Sequence, residues 1–141
     1  MKEAASLSSK TESFIQTKQL SLFEEVNEKE VRKTIARELK HYKALRIALQ
    51  NKSEIKEEGL NPLFPSFCSK DKVKEFKVRQ INRTLEHALD DVERQIIEQK
   101  YLSTNRVKDI NLYLDMGLTK DQYYIHKRQA IFLIATALGI I

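Results

Sequence analysis

The sequence predicts an all-helical protein in which one long N-terminal helix precedes a bundle of shorter helices. Only three Gly and two Pro interrupt its 141 residues, so long helices meet few breakers. Apolar residues recur every three or four positions over most of the chain, which is the spacing that places side chains on one helix face. Hydrophobic residues make up 41% of the chain, which is enough for one modest core.

Charge and composition narrow the class of protein. The formal net charge is +5 and the pI is near 9.3, a balance that fits a nucleic-acid partner without requiring one. Cys68 stands alone, so we expect no disulfide framework and a reducing, cytoplasmic location. The N-terminus lacks the apolar core of a signal peptide, and the longest apolar run, residues 130–141, is shorter than the roughly 20 residues that cross a bilayer. We therefore expect no membrane partner.

The first 26 residues are predicted to form a flexible or docked tail. Residues 1–18 are polar and contain scattered Ser and Thr, which is typical of a loose terminus. Residues 19–26 are more apolar. Their side chains Leu20, Leu22, Phe23 and Val26 could cover a seam in the core or bind a partner protein.

A long basic helix is predicted in the segment 27–50. Asn27 suits the N-cap position, and Glu30 follows at the spacing of a capping box. One stripe of the helix is apolar and comprises Val31, Ile35, Leu39, Tyr42, Leu45 and Leu49. Most of the remaining surface is cationic and comprises Lys29, Arg32, Lys33, Arg37, Lys40, Lys43 and Arg46. This surface could follow DNA phosphates, bind an acidic partner or simply be solvated.

A linker is predicted over residues 51–70, because Gly59, Pro62 and Pro65 interrupt any regular period there. Phe64 and Phe67 either pin this loop onto the bundle or form an exposed patch that invites a partner.

Two shorter helices open the C-terminal domain, which is predicted to span residues 71–141. The first covers 71–89 and has Val73, Phe76, Ile81, Leu85 and Ala88 along its buried side. The second covers 91–102 and buries Val92, Ile96, Ile97 and Tyr101. Asp90 and Glu93 have the spacing of a capping box at its start.

A glycine turn between two further helices is the most informative feature of the sequence. Gly117 suits the left-handed residue that ends a helix, while Thr119 and Gln122 have the spacing of a capping box that starts the next one. Two short helices joined by such a turn indicate a helix-turn-helix. The first helix supplies Val107, Ile110, Leu112 and Leu114, and the second is expected to pack on it through Tyr123, Ala130, Ile134 and Leu138. The alternative is an ordinary helical hairpin with a solvated charged face.

The polar side of the second helix is the predicted DNA-reading surface. In a helix-turn-helix, the N-terminal half of the second helix enters the major groove and contacts base edges. The predicted DNA-binding residues are Arg106, Lys108, Thr119, Lys120, Asp121, Gln122, Tyr124, Lys127 and Arg128. Of these, Lys120, Asp121, Tyr124, Lys127 and Arg128 are expected to lie on the side that faces away from the core.

The final run, residues 130–141, is apolar on nearly every side, so it must be covered all round. Either the long N-terminal helix covers it or a second copy of the chain does. A homo-oligomer formed through this run or through the long basic helix would suit a DNA reader, because two half-sites strengthen binding.

These segments together resemble the ArpU family of phage and prophage transcriptional regulators. The resemblance lies in residues 19–33, 39–45, 89–97, 100–102 and 109–130, including the motifs Asp115-Met-Gly-Leu-Thr119 and Tyr123-Tyr124. The C-terminal half of that family is similar to the last DNA-binding region of bacterial sigma factors. The resemblance therefore implies a sigma-region-four-like helix-turn-helix bundle that controls late phage genes, for packaging and lysis, in a Gram-positive host.

The resemblance also implies roles for single residues. By the sigma-like pattern, Lys120, Asp121, Tyr124 and Arg128 face the groove. The sequence departs from that pattern at His126, where an apolar residue usually faces the core. We expect a half-buried histidine there, with its polar atoms satisfied.

The residue patterns typical of enzymes do not occur in the sequence. His41, His87 and His126 are far apart, no His or Cys pair has metal-ligand spacing, and there is no glycine-rich phosphate loop. We therefore expect no catalytic activity, no metal and no cofactor.

Three functional hypotheses follow. The first is a transcriptional regulator that binds double-stranded DNA in a sequence-specific way. The second is a protein-interaction adaptor that uses the same fold to bind RNA polymerase or a phage protein. The third is a component of phage DNA packaging that uses the motif in a ring of many copies.

Overall fold

Helices make up all of the regular structure in residues 27–141, the part of the chain that the computed structural model describes. They are α1 (Glu28–Glu57), α2 (Asp71–His87), α3 (Asp91–Ile97), α4 (Asp109–Asp115) and α5 (Lys120–Ala137), and α3 continues directly into a π-helical turn, Glu98–Leu102. The prediction of an all-helical protein is confirmed. The predictions for the N-terminal tail and for segment 19–26 lie outside the described residues.

Helix α1 begins where the sequence predicts. The side-chain oxygen of Asn27 accepts hydrogen bonds from the backbone N–H groups of Lys29 at 3.1 Å and Glu30 at 3.4 Å. These two N–H groups have no partner within the helix, so the cap removes an unsatisfied polar group at each. The predicted N-cap is confirmed, and the carboxylate of Glu30 lies 3.7 Å from the ammonium of Lys33.

Helix α1 ends later than the sequence predicts. It continues past residue 50 to Glu57, because residues 51–57 contain no Gly or Pro and are rich in helix-favouring Lys and Glu. Gly59 then adopts φ +66°, and the N–H of Leu60 donates to the carbonyl of Ile55 at 3.1 Å, which is the hydrogen bond of a Schellman C-cap. The linker is therefore shorter than predicted and covers residues 58–70.

One apolar core joins α1 to the C-terminal helices. Its buried members are Val31, Ile35, Leu39 and Tyr42 from α1, Val78, Ile81 and Leu85 from α2, then Leu89 and Ile97, and Ala130, Ile131, Ile134 and Ala135 from α5. The predicted stripe of α1 therefore packs directly on α5. Helices of the same chain thus cover one face of the final run. Leu133 is 40% exposed and Ile140 is 37% exposed, so residues 27–141 do not cover this run all round as the sequence predicts. None of the described helices is both long enough and apolar enough to span a membrane.

The corner between α2 and α3 is fixed by polar contacts to backbone groups. Asp90 and Glu93 form the predicted capping box, with side-chain to backbone distances of 2.7 and 2.9 Å. The guanidinium of Arg94 donates to the carbonyl oxygens of Leu85 at 2.8 Å and Glu86 at 2.7 Å. These carbonyls end α2 without helical partners, so Arg94 satisfies them and holds α3 at a fixed angle to α2.

Two apolar residues of α2 are less buried than the sequence predicts. Val73 is 52% exposed and Phe76 is 55% exposed. The reason lies in α1, whose sequence beyond Leu49 is mostly polar and offers little apolar surface to pack against. There Lys52 instead forms an ion pair with Asp71 at 3.0 Å, and the two helices border an open groove.

A test of the shared core is the replacement of Ile134 by Ala. Ile134 is fully buried, so the change removes apolar contacts and leaves a cavity between α1 and α5. We expect the free energy of unfolding, measured by urea titration with circular dichroism, to fall by about 2–5 kcal/mol. The adjacent Leu133 is 40% exposed, so Leu133→Ala should cost clearly less. Equal losses in the two variants would contradict this core.

Candidate nucleic-acid interface

The turn between α4 and α5 has the geometry that the sequence predicts. Gly117 adopts φ +68°, a conformation in which a side chain would be strained, and the N–H of Leu118 donates to the carbonyl of Tyr113 at 2.9 Å. The hydroxyl of Thr119 accepts from the backbone N–H of Gln122 at 3.2 Å, and the side chain of Gln122 accepts from the N–H of Thr119 at 3.1 Å. The predicted glycine turn and capping box are confirmed.

A small second core holds α5 against α4. Ile96, Leu112 and Tyr123 are its buried members, and the ring of Tyr113 lies 5.7 Å from that of Tyr123. The sequence placed Tyr123, Ala130 and Ile134 together against the first helix of the motif. That prediction is wrong in part, because α4 has only seven residues and is too short to follow α5 along its length. Only Tyr123 packs there, whereas Ala130 and Ile134 lie in the core shared with α1.

The shortness of α4 also explains why some apolar residues that were predicted to pack against α5 are exposed to solvent. Leu112 is buried, but Ile110 and Leu114 are at least half exposed. A helix of two turns presents one narrow face to its neighbour, and Leu112 occupies that face. The prediction that Ile110 and Leu114 help to hold the second helix is therefore wrong.

Polar contacts around Asp109 lock the two helices of the motif together. The carboxylate of Asp109, at the start of α4, accepts hydrogen bonds from the hydroxyl of Tyr123 at 2.5 Å and from the ammonium of Lys127 at 3.1 Å. The ammonium of Lys100, from the π-helical turn, lies 3.5 Å from the same carboxylate. One acidic group thus connects α4, α5 and the turn that follows α3. We call Asp109, Tyr123, Lys127 and Lys100 the Asp109 cluster.

The side chain of Lys127 is mostly buried beside α4, contrary to the prediction that it faces away from the core. Its side chain is only 14% exposed, and its ammonium lies 5.8 to 6.0 Å from the ring centres of Tyr101, Tyr123 and Tyr124. Ring faces attract a cation, and the carboxylate neutralises it. The signal was present in the sequence, because Lys127 follows Tyr123 by four residues and therefore lies on the same face of α5.

The surroundings of the Asp109 cluster shift the pKa values of its members. Burial alone would raise the pKa of Asp109, but hydrogen bonds from Tyr123 and Lys127 and the charges of Lys127 and Lys100 outweigh it and lower that pKa. Burial and the hydrogen bond to Asp109 raise the pKa of Tyr123. Burial and the negative charge of Asp109 raise the pKa of Tyr101 to about 12. Near neutral pH Asp109 is therefore ionised, while Tyr123 and the neighbouring Tyr101 are neutral.

The loop before α4 is held by a second set of contacts that the sequence did not reveal. Lys100 donates to the carbonyl of Val107 at 2.8 Å, and Lys43 of α1 donates to the carbonyl of Ser103 at 2.9 Å. Two residues of the π-helical turn have partners in this region: Lys100 contacts Val107 and Asp109, and the ring of Tyr101 lies 6.0 Å from the ammonium of Lys127 of α5.

The outward side of the motif presents most of the other predicted DNA-binding residues. Lys120 and Asp121 are exposed, Tyr124 is partly exposed, and residues 27–141 leave this end of α5 uncovered. Arg106 and Lys108 are exposed just before α4, and Lys108 occupies its N-cap position. Lys120, Asp121 and Tyr124 thus follow the glycine turn directly, whereas Arg106 and Lys108 lie at the other end of α4, where Asp109 contacts Tyr123 and Lys127 of α5.

The remaining predicted residues have partners inside the chain. Thr119 and Gln122 are exposed, but their side chains are engaged in the capping box. Arg128 is exposed and forms an ion pair with Glu28, the first residue of α1. His126 is half-buried as predicted, but its Nδ1 atom is buried without a hydrogen-bond partner among residues 27–141, so the expectation of a satisfied histidine is wrong.

The described residues contain no group of three or more His, Cys, Asp or Glu side chains that could hold a metal ion. Comparison with protein-family models, curated proteins and solved structures finds no match to this chain.

The lowered pKa of Asp109 generates a pH-dependent test. A carboxylate whose pKa is lower in the folded state stabilises the fold above its unfolded pKa, and this contribution disappears as pH falls through the folded value. We expect Asp109→Asn to lower the free energy of unfolding at neutral pH by about 1–3 kcal/mol, because the charged partner of Lys127 is lost. The difference from wild type should shrink as pH falls below the ordinary Asp value of about 4, where the unfolded chain binds the proton, and it should vanish below the lowered pKa of Asp109 in the folded protein.

Urea unfolding between neutral and acidic pH measures this difference. Asp115→Asn is the matched control, because Asp115 is exposed at the other end of the same helix. A difference between Asp109→Asn and wild type that stays constant over the whole pH range would contradict the role of the Asp109 cluster.

Proposed function

We propose that this protein is a transcriptional regulator that binds double-stranded DNA and reads its sequence with the N-terminal half of α5. The observation that supports this most is the uncovered end of α5, which carries Lys120, Asp121 and Tyr124 directly after a glycine turn. A helix of the same kind enters the major groove in helix-turn-helix proteins. The Asp109 cluster supports the proposal further, because a reading helix must be held rigidly to discriminate between bases.

Each outward residue has a chemical role in this proposal. Lys120 would donate hydrogen bonds to guanine edges or phosphates, and Asp121 would accept one from a cytosine amino group. Tyr124 would pack on a thymine methyl group or hold a phosphate. Arg106 and Lys108, which lie before α4, would contact the phosphate backbone beside the groove and fix the register of the protein.

The biological setting is part of the proposal and rests on the resemblance to the ArpU family. A protein of that kind acts in the cytoplasm of a Gram-positive host and controls late phage or prophage genes for packaging and lysis. RNA polymerase is the natural second partner of such a regulator.

A protein-interaction adaptor is the second candidate, and one observation favours it. In the loop of residues 58–70, Phe64 is 82% exposed and Phe67 is 99% exposed. The sequence left open whether these rings pin the loop to the bundle or face outward, and the structure has them outward. Exposed aromatic rings on a proline-containing loop suit a groove on another protein.

Selection from random duplexes followed by footprinting tests the proposed function directly. We expect a preferred site, and we expect Lys120→Ala to weaken binding to it by about 1–3 kcal/mol if Lys120 contacts a base. Lys56→Ala is the matched control, because it removes the same charge at the distant end of α1. Failure to enrich any sequence, or equal losses in the two variants, would contradict the reading surface.

Salt dependence separates the two candidate functions. A DNA reader with several phosphate contacts loses affinity steeply as salt rises, because bound counterions are released on binding. A complex held by Phe64 and Phe67 would change little with salt. The double variant Phe64→Ser/Phe67→Ser should leave DNA affinity unchanged if the protein is a regulator, and it should abolish binding to purified RNA polymerase if the adaptor candidate is correct.

A further inference from the structure

A groove separates the N-terminal end of α1 from the exposed side of α5. Its lining residues are Glu28, Arg32, Tyr124, Lys127, Arg128, Ile131 and Phe132. Tyr124 belongs both to this groove and to the proposed reading surface, so the groove begins where that surface ends. Helix α1 is therefore a direct neighbour of the proposed reading helix.

The groove has more positive than negative charge. Lys127 is neutralised by Asp109 at 3.1 Å, and Arg128 is paired with Glu28. Arg32, one turn further along α1 than Glu28, forms no ion pair with a carboxylate of residues 27–141. Besides Lys127, the groove is thus lined by two guanidinium groups and one carboxylate, which leaves a net positive charge there.

The pair between Glu28 and Arg128 is easily replaced. The side chain of Glu28 is 40% exposed and that of Arg128 is 55% exposed, and ion pairs at such exposure contribute little to stability. The guanidinium of Arg128 also lies 5.4 Å from the ring centre of Phe132, a contact that is independent of Glu28. A different anion could therefore take the place of the Glu28 carboxylate without disturbing the helix.

We infer that this groove is a binding site for a phosphate of the DNA backbone, formed by Arg32 and Arg128, and that the Glu28 carboxylate occupies it in the free protein. The inference rests on the proposed function and assigns Arg128 to the backbone instead of a base. A phosphodiester resembles a carboxylate in charge and in its two acceptor oxygens, and guanidinium groups bind both in pairs of hydrogen bonds. Glu28 then competes with every phosphate, whatever the DNA sequence.

This competition lowers the affinity for non-specific DNA and for the preferred site alike. Contacts to phosphates supply essentially all of the affinity for non-specific DNA, whereas a preferred site adds base contacts. An internal carboxylate that must be displaced at each encounter weakens both kinds of binding by the same factor. Where non-specific binding depends on few contacts, that factor can reduce it to a negligible level while the preferred site stays occupied.

The test uses fluorescence anisotropy with the full chain and a short labelled duplex of mixed sequence, at several salt concentrations. Glu28→Gln should raise affinity roughly three- to ten-fold, because the competing carboxylate is gone while the number of phosphate contacts is unchanged. Arg32→Gln should lower affinity by a similar factor and make the slope of log K against log salt shallower by about 0.9, which corresponds to one lost phosphate contact. Thermal unfolding establishes that both variants are folded.

Two matched controls separate a local effect from a change in total charge. Glu57→Gln adds the same charge as Glu28→Gln at the other end of α1, about 43 Å away at the standard helical rise. Arg83→Gln removes the same charge as Arg32→Gln from an exposed position on α2. Changes in Glu28→Gln and Arg32→Gln that exceed those of the controls support the groove.

The possible failures are distinguishable. If the wild-type protein binds DNA and each variant has the same affinity as its control, the inference of a phosphate groove is overturned, while the proposed function stands. If the wild-type protein binds neither the mixed duplex nor any selected duplex, the proposed function is overturned. The inference of a phosphate groove is then overturned as well, because it rests on that function.

Discussion

The carboxylate of Asp109 is the contact on which the proposed interface depends. It ties the start of α4 to Tyr123 and Lys127 of α5 and to Lys100 of the π-helical turn. Helix α4 has only seven residues and buries little apolar surface, so packing alone would hold it weakly. The carboxylate ties α4 to two other elements, α5 and the π-helical turn, and supplies the missing constraint, because none of the three can rotate without leaving a charge unpaired.

This constraint gives α5 two different halves. The N-terminal half is fixed by polar contacts and the small core around Tyr123, and it leaves its other side open to solvent. The C-terminal half is buried by apolar contacts with α1, α2 and α3. The division suits a helix that must be anchored firmly at one end while the other end contacts a partner. It also places α1 beside the reading helix, where its first turn contributes Glu28 and Arg32.

The basic face of α1 gains a specific meaning from this arrangement. A row of cations on a long helix is usually solvated, and its total charge says little about which partner the helix binds. Of the residues of α1, only Glu28 and Arg32 line the groove beside the N-terminal half of α5, so Arg32 is close to the proposed DNA surface while the cations further along are not in that groove. The distribution of charge therefore matters more than the net charge of +5.

The sequence by itself determined the helices and the turn, because local patterns encode them. The caps at Asn27, Asp90 and Thr119 and the glycine turn at Gly117 depend on residues within a few positions of each other. Only the tertiary structure decided the Asp109 cluster and the groove beside α1, since Glu28 and Arg128 are a hundred positions apart. Periodicity shows which face of a helix is apolar, but it does not show which helix lies opposite. Lys127 shares a face of α5 with Tyr123, but its ion pair with Asp109 of α4 appears only in the tertiary structure.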